Sequence, residues 1–270
     1  METSGALHIE LVDHVFSKYC QQGLNKEDIL SMMEQFGLIV KFVTPPTNEK
    51  YYVPCQLKTP PKFLCEMKLS PSDPCPLYLN FKWGFVPHGL FFQLLSRCTR
   101  WYSENGYQEN PDFFDGAARF FIGKYPCHQF ILLCRKTFIK IILTQPEESA
   151  SLGETNKVAI TIRTFLEEAV QTLKSEVSWL RNLMWDLCVA CPACLRDEEA
   201  CSIHEQKCCT HEDCLCLLKV KGGIPKHCQK RREMPTLPGL KIWFSLEGNS
   251  ISVVVDKCLI TVPKYISIYD

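Results

Sequence analysis

The sequence lacks the short motifs that assign common catalytic chemistries. It has no G-x-x-x-x-G-K-[ST] loop, because Gly123-Lys124 stands without the upstream glycine or the following Ser/Thr. It has no G-x-S-x-G and no H-E-x-x-H, since His204-Glu205 and His211-Glu212 both lack the second histidine. The segment 112–116 contains Asp-Phe-Phe but is accompanied by neither a kinase Gly-rich loop nor His-Arg-Asp. We therefore expect no catalytic residues and no GTP hydrolysis by this chain alone.

The sequence also has no charge surplus and no long apolar run. Lys and Arg total 30, the same as Asp and Glu, which gives a formal net charge of +0. Nucleic-acid binders draw much of their affinity from a basic surplus, so this balance disfavours that class. The longest apolar stretch, residues 130–143, is interrupted by Arg135, Lys136 and Lys140, and the start METSGALHIE does not resemble a signal peptide. These absences predict a cytoplasmic protein without a membrane span.

Cysteine, in contrast, is abundant. The chain contains 17 cysteines, and 46% of its residues are hydrophobic, which is ample for buried cores. Cytoplasmic cysteines are normally reduced thiols or metal ligands rather than disulfides.

The hydrophobic pattern predicts an α+β protein whose first part, residues 1–75, is winged-helix-like. Two amphipathic helices are expected first, the second capped by Asn25, followed by a hairpin with strands at 39–43 and 50–54. A proline-rich stretch, residues 59–76, is expected to be a linker.

The segment 77–102 predicts a strand, a sharp turn and a helix in immediate succession. Four apolar residues alternate with polar ones in the first part, as in a half-buried strand. Pro87 and Gly89 mark the turn. The helix that follows has an apolar stripe and leaves Gln93, Arg97 and Arg100 for solvent.

The second part, residues 76–238, is expected to be an antiparallel sheet with helices. Its predicted elements are strands at 117–124, 127–136 and 137–144, a polar loop at 145–157, a long helix with a capping box at Thr164 and Glu167, a strand at 183–189, and a Cys-rich insertion at 188–228. Residues 239–270 predict short antiparallel strands, which the pattern assigns to neither part; a hairpin turn is expected at 247–249.

The insertion offers a candidate zinc site. Cys191-Pro-Ala-Cys194 has the spacing that lets two thiolates reach one tetrahedral zinc ion, and His211-Glu-Asp-Cys214 repeats it after 16 intervening residues. We therefore predict Cys191, Cys194, His211 and Cys214 as ligands of a structural zinc.

Other interpretations of the insertion remain open. Cys201 and His204 form a competing pair at the same spacing, although close to the first. The alternative to a metal site is a reduced Cys-rich surface loop without stable metal. A redox role for Cys191 and Cys194 is disfavoured, because charged residues and further cysteines are expected to follow where such a motif needs the N-terminus of a helix.

Three stretches of the sequence resemble the COR (C-terminal of Roc) domain of the ROCO protein family. They are ILSMMEQFGLIVKF with the following YYVPCQL, then LYLNFKWGFVPHGLFFQLLSRC, and finally WLRNLMWDLCVACPACL, whose Cys-x-x-Cys is similar to the metazoan branch. The likeness covers residues 5–195. The sequence beyond about residue 215 resembles nothing that we can name.

The resemblance implies a non-catalytic function in intracellular signalling. In that family a Ras-like GTPase domain, Roc, lies upstream, and COR couples its nucleotide state to dimerisation or to downstream domains. The partners implied are thus a Roc-type GTPase domain, in cis or in trans, and a second copy of the chain.

Two alternatives come from other classes of protein. One is a zinc-stabilised nucleic-acid-binding module, which the acidic balance of the second predicted helix disfavours because DNA-reading helices need basic and amide side chains. The other is a fragment of a larger GTPase or serine/threonine kinase whose catalytic domains lie outside this chain.

Overall fold

The computed structural model confirms a mixed α+β fold with antiparallel sheets. It describes residues 5–7, 9–21, 23–44, 48–107, 109–123, 127–146, 151–195, 204–205, 211, 214–228, 237–244, 251–255 and 258–262.

The helices are α1 (Ile9–Gln21), α2 (Lys26–Gln35), α3 (Lys62–Cys65), α4 (His88–Glu104), α5 (Leu152–Glu176) and α6 (Pro192–Leu195). The strands are β1 (Ala6–Leu7), β2 (Val40–Thr44), β3 (Asn48–Tyr52), β4 (Leu77–Phe81), β5 (Asp112–Phe114), β6 (Ala117–Ile122), β7 (His128–Cys134), β8 (Phe138–Thr144), β9 (Trp185–Ala190), β10 (Leu217–Lys221), β11 (Ile224–Pro225), β12 (Ile251–Val255) and β13 (Cys258–Val262). Short 3-10 helices span Pro54–Gln56, Ser178–Leu180 and Pro238–Trp243. None of the helices described has both the length and the apolar composition needed to cross a membrane.

The first part of the chain folds as two helices and a small sheet. Strands β1, β3 and β2 pair in that order, all antiparallel. Asn25 caps α2 as predicted, since its side chain accepts a hydrogen bond from the Glu27 backbone N–H. A small core of Val12, Leu30, Ile39 and Tyr51 joins the helices to the sheet.

An eight-stranded antiparallel sheet, in the order β11-β10-β9-β4-β8-β7-β6-β5, forms the rest of the framework. Strand β4 lies inside it, between β8 and β9. The predicted alternation holds for Leu77, Leu79 and Phe81, which enter the largest core. The opposite face of β4 is not solvated, however, because Tyr78 is buried against Phe138 in an edge-to-face ring contact.

Helices α4 and α5 cover one face of this sheet. Their apolar stripes interlock, and the rings of Trp101 and Phe165 stack with centroids 4.7 Å apart. The other face is covered in part by the proline-rich stretch 59–76. That stretch is not a free linker, since it contains α3, whose Leu64 is fully buried.

Helix α5 begins well before the predicted capping box. Ser151 is its N-cap and accepts a hydrogen bond from the Glu154 backbone N–H. The prediction of a loop at 145–157 is therefore wrong from residue 152 onwards, and so is the cap at Thr164. The first turns are polar in sequence, yet Thr155 and Asn156 point into the protein and are buried. Buried polar residues conceal the apolar stripe on which the prediction depended.

The segment 238–243 packs on α5 as a 3-10 helix, where a strand is predicted. Two of its backbone carbonyl oxygens accept hydrogen bonds from side chains of α5. Asn156 donates to the Ile242 oxygen at 2.7 Å, and Arg163 donates to the Trp243 oxygen at 2.9 Å. Strands β12 and β13 pair with each other, in keeping with the predicted strands. The predicted turn 247–249 lies outside the described residues.

Candidate metal centre

The first half of the centre is built at the end of β9. Cys191 follows the strand directly, and Pro192 begins the single turn α6. The Leu195 backbone N–H donates to the Cys191 carbonyl oxygen at 3.1 Å, which closes the turn. Because of this turn, the Cys194 side chain comes back beside that of Cys191.

The second half is a hairpin at the edge of the sheet. Cys216 precedes β10 and Cys228 follows β11, and the turn between these strands uses Gly222 and Gly223 at φ +57° and +81°. Those angles favour glycine because a Cβ is strained there. The Cys191 backbone N–H donates to the Cys216 carbonyl oxygen at 2.8 Å, so the hairpin is held in register with β9.

Together these elements bring four thiols into one cluster, which we call the four-cysteine cluster: Cys191, Cys194, Cys216 and Cys228. Their sulfur atoms all lie within 4.8 Å of one another, and the Sγ atoms of Cys194 and Cys228 are 3.6 Å apart. Cys191 and Cys228 are each only 1% exposed. The cluster has the composition and the compactness of a site for a thiophilic metal ion.

Burial affects the protonation of these thiols. Desolvation raises the pKa of Cys194 above the ordinary cysteine value, and the neighbouring thiols raise it further. Desolvation also raises the pKa of Cys216. Without a cation both groups are therefore neutral thiols at pH 7. A bound cation would displace the protons, because metals bind the thiolate form.

The predicted ligands are divided between two places. Cys191 and Cys194 belong to the four-cysteine cluster, whereas His211 and Cys214 contact His204. The Cys214 Sγ lies 3.3 Å from the His204 Nδ1, and the rings of His204 and His211 are 3.9 Å apart. The competing candidate Cys201 lies outside the described residues.

Spacing alone did not single out Cys216 and Cys228, because 11 residues separate them. A different signal was present in the sequence. Residues 218–221 alternate between apolar and basic side chains and are followed by Gly222-Gly223, which is typical of a hairpin. Cys216 comes just before this segment, and Cys228 comes three residues after Pro225. A hairpin brings its two ends together, so two cysteines that flank it can bind one metal ion, as the two cysteines of a Cys-x-x-Cys motif do.

In comparisons with known proteins, the chain matches no family model and no curated protein. The resemblance to COR domains therefore depends on the three stretches of sequence that carry it.

Proposed function

We propose that the chain is a non-catalytic COR-type interaction module, which couples a Roc-type GTPase domain to partners in intracellular signalling and associates with a second copy of itself. The observation that carries this proposal is the mutual contact of the three stretches that resemble COR. They are distant in sequence, yet the first and the third both pack on the second, which forms the β4–α4 unit.

The first stretch contacts the second through the polar side of α4. Gln93 donates from its side-chain amide to the Glu34 carbonyl oxygen at 3.1 Å. Thr99 donates to the Lys41 carbonyl oxygen at 3.0 Å. Both donors are buried, so the prediction that Gln93 faces solvent is wrong. A movement of the first part of the chain would therefore be transmitted to α4 through these two hydrogen bonds.

The third stretch contacts the second through the sheet. Strands β4 and β9 pair over five positions, from Leu77 opposite Val189 to Phe81 opposite Trp185. Trp179 also lies against the start of α4, where a Cβ placed on Gly89 would come within 3.3 Å of its ring. The three stretches thus form one connected unit, as a domain that transmits a conformational signal requires.

The layout of the first part supports a winged-helix-like subdomain with a protein partner. Two helices and the β2–β3 hairpin follow one another, and β1 adds a third strand. Helix α2 carries Glu27, Asp28 and Glu34 against the single cation Lys26. This acidic balance disfavours contact with phosphates and favours a protein partner.

A group of exposed apolar side chains surrounds the N-terminal end of α4. We call it the apolar patch: Phe36, Leu38, Phe85, Trp179 and Met184. Each is 48–67% exposed. Their backbones are close together, because Gly37 packs on Gly89, Gly89 packs on Trp179, and the Lys82 backbone N–H donates to the Met184 carbonyl oxygen at 3.0 Å. Clusters of this kind commonly mark protein interaction sites.

We assign the apolar patch to a second copy of the chain. Identical copies repel one another when each has a large net charge, and this chain has a formal charge of +0. The patch is defined by uncharged side chains, and the half-exposed Lys82 lies beside Met184. Because it is built around α4, the packing of one copy on the other would depend on the position of the first part of the chain, and a nucleotide-dependent partner could shift that equilibrium.

Sedimentation analysis over a range of concentrations tests the self-association. We expect a reversible dimer that is lost in the double variant Phe85→Ser, Trp179→Ser. Leu152→Ser is the matched control, since Leu152 is 49% exposed at the opposite end of α5 from Trp179. A monomer at all concentrations, or equal loss in the control, would contradict the assignment.

The coupling to Roc is tested by the sequence encoded immediately upstream of Met1. We expect a Ras-like domain with a G-x-x-x-x-G-K-[ST] loop there if coupling is in cis. The purified Roc-type domain should then bind this chain with different affinities in its GDP and GTP forms. Equal affinities in the two forms would refute a coupling function.

The nucleic-acid-binding alternative gains less support. Its candidate surface is a locally basic run: Lys219, Lys221, Lys226, Lys230, Arg231 and Arg232. Lys219 forms an ion pair with Asp186. Lys230, Arg231 and Arg232 lie outside the described residues. This alternative would be favoured if the chain bound DNA or RNA at low salt and lost that binding when Lys226, Arg231 and Arg232 were replaced.

A further inference from the structure

We infer that the four-cysteine cluster binds one zinc ion through four thiolates, and that this ion fastens the β10–β11 hairpin to the edge of the eight-stranded sheet. The inference is independent of the proposed signalling function, because it concerns only what holds this edge together.

The spacing of the sulfur atoms fits a tetrahedral metal site. Zinc–sulfur bonds of about 2.3 Å place two thiolates of a tetrahedron about 3.8 Å apart. The separation between Cys194 Sγ and Cys228 Sγ is 3.6 Å. A disulfide would require about 2.05 Å. The four thiols are thus arranged around a common centre rather than as two bonded pairs.

The nature of the donors favours zinc in a closed, structural site. Four sulfur donors in a tetrahedral arrangement select zinc or iron over oxygen-preferring cations. A site whose four positions are all protein ligands leaves none for water or substrate. Cys191 and Cys228 are buried in the main core, whereas Cys194 and Cys216 are partly exposed, so the centre is shielded from solvent on one side.

The local charge complements such a centre. Zinc with four thiolates carries a net charge of −2, because four thiol protons leave when a dication binds. The segment between Cys216 and Cys228 contains Lys219, Lys221 and Lys226 and no acidic residue.

The position of the cluster indicates what the ion would hold. Strand β10 pairs with β9 at only three positions, and β11 lies beyond it at the edge of the sheet. Leu218 and Val220 nevertheless contribute to the main core. A bond through zinc from Cys191 and Cys194 to Cys216 and Cys228 connects the two ends of this hairpin to β9, and it closes the loop of 21 residues between Cys194 and Cys216.

Metal content measured on matched variants tests the ligand set. The full chain, expressed with zinc, should contain one ion by native mass spectrometry, and Cys216→Ser and Cys228→Ser should lose it. Cys214→Ser and His211→Ala are the controls and should retain it, although Cys214 is only two residues from Cys216. Loss in the controls equal to that in Cys216→Ser would overturn the assignment, as would bound iron or a chain without metal.

A second measurement avoids variants that fail to fold. X-ray absorption at the zinc edge of the unaltered chain should show four sulfur neighbours at about 2.3 Å and no nitrogen. Three sulfurs with one nitrogen at about 2.0–2.1 Å would instead indicate the set Cys191, Cys194, His211 and Cys214, and would refute the inference.

Hydrogen exchange tests the role of the ion. Chelation should accelerate amide exchange in β10 at least tenfold while β4 keeps its protection. Equal protection of β10 with and without chelator would show that the hairpin does not depend on the metal.

Discussion

The Ser96 hydroxyl donates a hydrogen bond to the Glu34 carboxylate at 2.6 Å, which joins α4 to α2 across 62 positions of sequence. The guanidinium of Arg100 lies 3.8 Å from the same carboxylate oxygen, Oε1. Glu34 is therefore held by two side chains of α4. The polar face of this helix is the contact surface for the first part of the chain, while its apolar face packs on the sheet.

We expect Ser96→Ala to lower the free energy of unfolding. The variant removes a hydrogen bond to a charged group, and such a bond contributes about 1.5–3 kcal/mol when its partners are shielded from water. Glu34 retains some contact with solvent, so a loss of about 1–2 kcal/mol is expected in urea denaturation. Ser175→Ala is the control, because Ser175 is an exposed helical serine that bonds only to the nearby Thr172 carbonyl oxygen. A loss in Ser175→Ala as large as that in Ser96→Ala would contradict the prediction.

Trp243→Phe should destabilise the attachment of segment 238–243. The Trp243 indole N–H donates to the Cys75 carbonyl oxygen at 2.8 Å, and the side chain is fully buried. Phenylalanine keeps most of the ring but leaves the carbonyl oxygen without this donor, which costs about 1–3 kcal/mol. The thermal midpoint should fall accordingly, whereas Trp179→Phe, at an exposed tryptophan, should leave it almost unchanged. Unchanged stability in Trp243→Phe would show that water replaces the bond.

Two glycines should respond to alanine in opposite directions. A Cβ on Gly239 would lie 2.7 Å from the Cys75 backbone nitrogen, which is closer than van der Waals contact allows, so Gly239→Ala should cost about 1–3 kcal/mol. Gly153 is in the first turn of α5 with nothing within 4 Å of its Cβ position, so Gly153→Ala should stabilise by about 0.4–1 kcal/mol. Denaturant midpoints that shift in the same direction for both variants would be inconsistent with this packing.

His128 should make the protein sensitive to mild acid. Its ring Nε2 is 3.0 Å from the Thr155 hydroxyl in a buried contact. Burial lowers the pKa of His128 below its ordinary value of 6.5, although Glu154 opposes the shift. Below pH 6.5 the unfolded chain therefore binds a proton that the folded protein does not. The contribution of His128 to the free energy of unfolding should be constant above about pH 7.5. As the pH falls further, this contribution should decrease by at most about 1.4 kcal/mol per pH unit.

The comparison of unaltered protein with His128→Gln isolates this contribution. Glutamine can still form a hydrogen bond with the Thr155 hydroxyl, but it does not titrate. Urea denaturation at pH 7.5 and pH 5 should show a smaller loss in the variant than in the unaltered protein. Equal losses would assign the acid sensitivity to other groups.

The central strand–turn–helix segment could be predicted because its pattern is strong. Strand β4 and helix α4 each bury one face in the main core. Burial of one face produces apolar residues at a regular spacing, and this spacing can be recognised in the sequence. The same reasoning failed for Gln93 and Tyr78, whose burial depends on elements far away in sequence. Polarity indicated solvent for Gln93, but two backbone carbonyl oxygens of the first part of the chain accept its amide hydrogens.

The candidate metal centre was predictable in part for a similar reason. The Cys191–Cys194 pair is local, since a single turn places both thiols together. Cys216 and Cys228 join them only because the β10–β11 hairpin pairs with β9. Sequence spacing cannot distinguish this arrangement from one that uses His211 and Cys214, because the choice depends on the strand register.

By itself the sequence determined the α+β class with its antiparallel strands, the β4–α4 unit and one half of a thiol-rich centre, because each depends on periodicity or spacing within a few residues. The tertiary structure decided which faces are buried, where α5 begins, and which cysteines meet. Those outcomes depend on contacts between segments tens of residues apart, where hydrogen-bond satisfaction and strand register take precedence over local preference.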